Sequence, residues 1–287
     1  MWQANIGIRL HDTRAGSLHE RALYAKEQGF SCAHLALSKC LDASFMCSEV
    51  MTPGLAARVK NDLDGLDCAV LGCYLNLCHP DRDAYAQTLK KYIAHLKLCR
   101  WMNAGCVGTE TGNPNREYRY DVELSHTEQA LELFIRRLEP VVRAAEKLGA
   151  AICIEPVYTH IVCDPKRARR VLDAIASPNL GIIFDPVNLL HPDNIARRDE
   201  IFAEAMELLE EEIQIIHLKD YRMVDGAIKS CAAGLGEMDY AAILRFAAEK
   251  KPGIQMTLED TKPENAEDAR LFIAGVYNSV SLSPKQP

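Results

Sequence analysis

The sequence predicts an α/β protein folded as a single (β/α)8 TIM barrel. Three observations predict it. Eight short apolar, strand-like runs recur along the chain, segments with helical periodicity separate them, and 287 residues fits one such barrel.

The runs, in order, are NIGIRL (5–10), CAHLAL (32–37), CAVLGCYLNL (68–77), CVGTE (106–110), AICIEPV (151–157), LGIIFDPV (180–187), IQIIHLKD (213–220) and IQMTLED (254–260). Buried runs alternating with amphipathic helices argue for a parallel sheet covered by helices. Among the helical segments, LHERALYAKEQGF comes first and AYAQTLKKYIAHLKLCRWM follows the third strand. EQALELFIRRLEPVVRAAEKLGA ends at Gly149, a C-cap signal. KRARRVLDAIA starts after Asp164-Pro165, an N-cap followed by proline at the first helical position. ENAEDARLFIAGVYNSV closes the set. An open doubly wound sheet is the alternative. It would more naturally carry a glycine-rich loop after its first strand, and IRLHDTRAG supplies none.

No internal boundary is visible, so residues 1–280 read as the barrel and 281–287 as a C-terminal tail ending in SPKQP. Segment 113–125, NPNREYRYDVELS, reads either as a cover over a pocket or as a long connection.

The formal charge of −7 argues against a nucleic-acid partner, which would call for a basic face. No uncharged apolar run approaches a membrane span, and the start, MWQANIGIRLHD, lacks a basic segment followed by an apolar run. A cytoplasmic protein without membrane contact is therefore expected. Eleven cysteines lie mostly in apolar runs and form no CxxC pair, so they read as reduced core thiols.

In a (β/α)8 barrel the active site lies at the C-terminal ends of the strands. Strand 5 ends in Glu155, strand 6 in Asp185, strand 7 in His217 and the last strand in Glu259. Each spacing is about one β/α unit, so the four groups are expected at a similar height. Three converging carboxylates would repel one another strongly. A divalent cation removes that cost, and this donor set suits Mn²⁺, Mg²⁺, Co²⁺ or Zn²⁺. The bland alternative is four separate helix caps or loop anchors, hydrogen-bonded to backbone amides or to Lys219.

At these residues the sequence resembles the xylose isomerase-like family of sugar (phosphate) isomerases and epimerases, whose superfamily includes AP endonucleases. The matching motifs are IEP (154–156), FDPVN (184–188), HLKD (217–220), GLGEMDY (234–240) and TLED (257–260). GCYLNLCHPD (72–81) matches more loosely. The resemblance implies one divalent metal ion held by Glu155, Asp185, His217 and Glu259. It also implies that Glu155 and Glu259 are the catalytic pair. One removes a proton beside a carbonyl and the other returns a proton through an enediolate, which the metal stabilises. The implied partner is a sugar, sugar phosphate or polyol, and homo-oligomers are common among resembling barrels. One departure is Asn188, where the family often has histidine; an amide can bind a substrate hydroxyl but cannot shuttle a proton. RMVDGAIKSCAAG lacks the Asp-x-His of the DNA-repair branch, which argues against that assignment.

Further substrate-binding candidates are His79, Glu110, His160, Lys219 and Arg222, beside Asn188. His79 also reads as a loop histidine beside the helix N-cap at Asp81, and Lys219 as a salt-bridge partner of Asp185 or Glu259; Glu110 would bind a substrate hydroxyl, His160 lies in the loop after strand 5, and Arg222 would bind an anion. GLGE (234–237) reads mainly as a chain turn, with backbone amides facing a phosphate as the alternative. A metal-dependent isomerase or epimerase is the leading reading. A metal-dependent lyase or dehydratase on an inosose-like or keto-acid substrate comes second, and a non-catalytic sugar-binding barrel third.

Overall fold

The computed structural model describes residues 3–282. Eight parallel strands close into a barrel: β1 (Asn5–Arg9), β2 (Cys32–Leu35), β3 (Asp67–Gly72), β4 (Cys106–Glu110), β5 (Ile152–Glu155), β6 (Leu180–Phe184), β7 (Ile213–Leu218) and β10 (Gln255–Leu258). The eighth barrel strand is numbered β10 because a two-stranded antiparallel hairpin precedes it, formed by β8 (Asp220–Val224) and β9 (Ala227–Cys231). The sequence reading missed this hairpin. Its signal was Asp225-Gly226, both at positive φ (52° and 75°), which is the two-residue turn that joins antiparallel strands.

The outer helices start and stop where local chemistry satisfies their free backbone groups. Asp81 caps α4 (Arg82–Met102) by accepting from Asp83 and Ala84, and Asp164 caps α7 (Pro165–Ile175) by accepting from Arg167. Thr127 opens α6 (Glu128–Leu148), and Gly149, at φ 62°, ends it. The closing helix α10 (Ala266–Leu282) runs two residues into the expected tail, and the rest of that tail lies outside the described residues.

Seven of the eight strands are shorter than the apolar runs that announce them; only β4 spans its whole run, 106–110. Alternation then decides what faces the barrel interior. Cys153, Ile183 and Ile215 belong to a small inner cluster with Cys32, Ala69, Val70 and Cys106, distinct from the large core between barrel and helices. Two residues further along the same strand face are Glu155, Asp185 and His217. The inner cluster is the floor on which the polar groups stand. It also accounts for the cysteines: all eleven are free, and the inner ones are slim apolar fillers where strands converge.

Candidate active site

At the C-terminal mouth of the barrel, His217 is fully buried, and its Nδ1 faces three carboxylates. Glu259 Oε1 lies 3.3 Å away, Glu155 Oε1 3.5 Å and Asp185 Oδ2 4.0 Å. All three acids are themselves at most 5% exposed. Neither ring nitrogen of His217 makes a hydrogen bond to the protein. An orphaned buried imidazole is costly, and so is a knot of buried carboxylates; one cation relieves both. Donor atoms of Glu155, Asp185 and His217 lie within 4.8 Å of one another, as do those of His34, His217 and Glu259. The residues present therefore fit a divalent ion.

The electrostatics point the same way. Burial opposes an imidazolium at His217, but Glu259, Glu155 and Asp185 override it and raise its pKa to about 9. The field that favours a proton there would favour a metal ion more. Burial pushes Asp185 up to about 6 against the pull of Lys219, with Glu155 and Glu259 adding to the rise. Glu155 and Glu259 are held below the usual carboxylate range. In both, burial is outweighed by His217 and Lys219, and at Glu259 by His34 and Arg9 as well. One acid is thus biased towards the neutral form and two towards the ionised form within a single pocket.

Lys219 follows His217 by two residues and is also buried. Its Nζ bridges Asp185 Oδ2 at 2.8 Å and Glu259 Oε2 at 3.2 Å. Asn188 donates from Nδ2 to Glu155 Oε1 at 2.6 Å, while its backbone N–H donates to Asp185 Oδ1 at 3.1 Å. Glu110 sits opposite Glu155 in the β4–β5 register, and burial together with the Glu155 charge lifts its pKa to about 7. The Tyr118 hydroxyl donates to Glu110 Oε2 at 3.3 Å, so the 113–125 segment reaches the mouth. His160 lies behind Glu110, with Nδ1 3.8 Å from Glu110 Oε2; burial lowers its pKa to about 4.

Two candidates lie apart from this group. His79 Nδ1 accepts from the Asp81 amide and shapes the entry to α4, and it does not line the central cavity. Arg222 is exposed on β8, where its Nε donates to the Leu235 carbonyl. The phosphate alternative for GLGE also fails on geometry. The amides of Gly234 and Gly236 point at the buried Asp220 carboxylate, at 3.1 and 3.0 Å, joined there by those of Met238 and Tyr221.

Three site residues escaped the sequence reading. Arg9 ends β1 and places Nη1 3.4 Å from Glu259 Oε2, while its other nitrogens bind Asp12 and Asp260. His34, in β2, places Nδ1 3.6 Å from Glu259 Oε1 and stacks on His217, with centroids 5.3 Å apart and planes inclined by 21°. Tyr74, two residues past β3, donates its hydroxyl to Glu155 Oε2 at 3.4 Å. The sequence carries little signal for them: His34 and Tyr74 lie inside apolar runs, and Arg9 falls near the end of one as a surface arginine would. Gly72 makes room for two of these groups: a Cβ there would lie 2.8 Å from His34 Nε2 and 2.9 Å from the Tyr74 ring.

A cavity of about 390 Å³ opens above these groups, bordered by Arg9, His34, Tyr74, Glu110, Glu155, Asn188, Lys219 and Glu259. It is roomy enough for a small polar molecule. The family model for the xylose isomerase-like TIM barrel matches residues 23–275. The chain belongs to the xylose isomerase-like TIM barrel family. No protein of curated function matches it. Solved structures share the fold of this xylose isomerase-like barrel at low identity. The 3-keto-D-glucoside 4-epimerase of E. coli aligns over 95% of this chain and 100% of its own, at TM-score 0.73 and 14% identity. A xylose isomerase-like TIM barrel protein from Mycobacterium smegmatis, solved in complex with magnesium, covers 98% of each chain at TM-score 0.71 and 15% identity. The probable 3-DHS dehydratase AsbF of Bacillus anthracis covers 96% of this chain and 98% of its own, at TM-score 0.70 and 14% identity. Among the described residues, no helix of this xylose isomerase-like barrel is long and apolar enough to cross a membrane.

Proposed function

We propose that this protein is a divalent-metal-dependent isomerase or epimerase acting on a keto-sugar or related polyol ketone. The observation that carries the reading is the single ring nitrogen of His217 facing Glu155, Asp185 and Glu259 within 4.0 Å, beside an open cavity that Glu155 and Glu259 line. The keto-glucoside epimerase among the fold neighbours supports the substrate class, and the neighbour solved with magnesium supports the cation.

Glu155, Asp185, His217 and Glu259 would hold the ion, with His34 beside Glu259. When bound, the ion supplies Lewis-acid stabilisation of negative charge developing on substrate oxygens. The protein's own groups then divide the proton work. Glu155 and Glu259 are the proton-transfer pair: one, as the carboxylate, removes a proton from the carbon beside a carbonyl, and the other, carrying a proton when the substrate binds, returns one. As the C–H bond breaks, its electron pair moves into the carbon–carbon bond and the carbonyl oxygen takes up the charge, giving an enediolate. Asn188 and Tyr74 fix Glu155 by a hydrogen bond to each of its oxygens, so its orientation is preorganised. Lys219 and Arg9 hold Glu259 from the other side.

The second reading is a lyase that expels a β-hydroxyl from the same intermediate. One observation favours it beside the probable dehydratase among the fold neighbours: Glu110, with a pKa of about 7, is half protonated near neutrality at the cavity mouth, where it would protonate a leaving hydroxyl.

The test is metal analysis of wild type, His217→Ala and Glu259→Gln, followed by exchange of substrate protons in D₂O over a panel of ketoses, keto-glycosides and inososes. About one divalent ion per wild-type chain, lost in both variants, with exchange and no loss of water, is expected. Elimination of water would move the assignment to the lyase. A chain that stays empty when Mn²⁺, Mg²⁺, Co²⁺ or Zn²⁺ is offered would overturn both.

A further inference from the structure

A second cavity of about 400 Å³ shares two lining residues, Asn188 and Lys219, with the central one. These are the residues that touch Glu155 and Glu259. A molecule bound over the proton-transfer pair therefore abuts this second space. Its character differs. Val157, Val187 and Leu190 give an apolar floor, and Ile228 on β9 closes one side. Tyr158 stands over it, braced by His191, whose ring lies parallel at 4.4 Å and 8°. The Tyr158 backbone is fixed as well, its N–H donating to the Asn188 carbonyl at 2.7 Å and its carbonyl meeting His126 Nε2 at 2.7 Å. By contrast, the hydroxyls of Tyr158, Tyr120, Thr159 and Ser230 around the rim make no hydrogen bond to the protein among the described residues.

We infer that this space is a subsite for a second sugar ring, so that the substrate is a glycoside of the reacting keto-sugar rather than a free monosaccharide. The inference rests on the proposed keto-sugar reaction and names its substrate class. A pyranose has an apolar face of C–H bonds and a hydroxyl edge. A rigid aromatic wall over an aliphatic floor suits the first, and unpartnered hydroxyls suit the second. A purely apolar substituent would leave the rim hydroxyls unused, and an anion finds no unpaired cation among the lining groups, since Lys219 is held by Asp185 and Glu259.

The probes are a methyl keto-glucoside and the corresponding keto-disaccharide, compared by solvent-deuterium exchange. Saturation-transfer NMR reports the binding of methyl glucoside and of a glucose disaccharide to the metal-loaded protein. Two variants address the space: Ile228→Trp, which fills it, and Tyr158→Ala, which removes the wall but keeps the backbone hydrogen bonds. The keto-disaccharide is expected to exceed the methyl glycoside at least tenfold in kcat/KM, and both variants are expected to erase most of that ratio. Equal rates for the two probes, or a ratio that survives both variants, would overturn the subsite. If no ketone exchanges but disaccharide binding is still lost in Ile228→Trp, the subsite stands and the proposed reaction falls. A signal from the methyl glucoside alone would overturn the subsite whatever the reaction.

Discussion

Asn188 Nδ2 donates a 2.6 Å hydrogen bond to Glu155 Oε1, the oxygen that also faces His217 Nδ1 at 3.5 Å. An amide therefore sets the rotation of a carboxylate to which the proposed function gives metal-holding and proton-transfer work. Asn188→Ala is expected to lower kcat and metal affinity by roughly ten- to a hundredfold, the usual cost of losing a group that orients a metal-site ligand. Turnover and metal titration of the variant check this; unchanged metal affinity together with unchanged kcat would remove Asn188 from the machinery.

The metal-free protein carries a pH signature at His217. Its folded pKa of about 9 lies above the ordinary 6.5, because Glu259, Glu155 and Asp185 outweigh burial. The stabilisation from its charge is fully present below about pH 6.5 and is lost as pH rises through 9. Denaturation of the apoprotein at pH 6.5 and 9.5 should show that loss, and His217→Gln should flatten it. A metal must displace the same proton, so its apparent affinity should fall about tenfold per pH unit below pH 9, with release of about one proton. Calorimetry in buffers of different ionisation enthalpy measures the release; no proton released would contradict the raised pKa.

His95 predicts the opposite slope. It is fully buried on α4, its Nδ1 meets the Lys91 carbonyl at 2.8 Å, and burial lowers its pKa to about 4. The folded state refuses a proton that the unfolded chain accepts below about 6.5. Stability should fall as pH drops from 6.5 towards 4 and level off below it, by about 1–3 kcal/mol. A His95→Gln protein whose acid titration matches wild type would show that the slope comes from elsewhere.

Asp220 accepts four backbone donors, from Tyr221 beside it on β8 and from Gly234, Gly236 and Met238 in the loop after the hairpin. Asp220→Ala orphans those amides and should cost about 2–5 kcal/mol. Hydrogen exchange should accelerate first over residues 232–238. Protection of that loop in the variant would mean the amides find other partners.

The alternation of eight apolar runs with helical segments was enough to specify a closed parallel barrel. Side-chain periodicity and helix capping are local, and burial on both faces leaves few alternatives. Four strand-end residues were legible for the same reason: Glu155, Asp185, His217 and Glu259 interrupt apolar runs at matching heights, and an interruption in a buried strand has to be compensated. The barrel closure decided the rest. It brings β1, β2 and β3 round to β10 and the later strands, so that Arg9 reaches Glu259, His34 stacks on His217 and Tyr74 reaches Glu155. Those pairs join residues far apart in the chain, and nothing in a buried histidine or a strand-end arginine distinguishes a site group from a core group. His79 and Arg222 stay outside the site because each is held by a partner nearby in the chain, the Asp81 amide two residues on and the Leu235 carbonyl just past the hairpin. Sequence carries the period and the polarity of each element; only the packed barrel says which polar ends share one low-dielectric space.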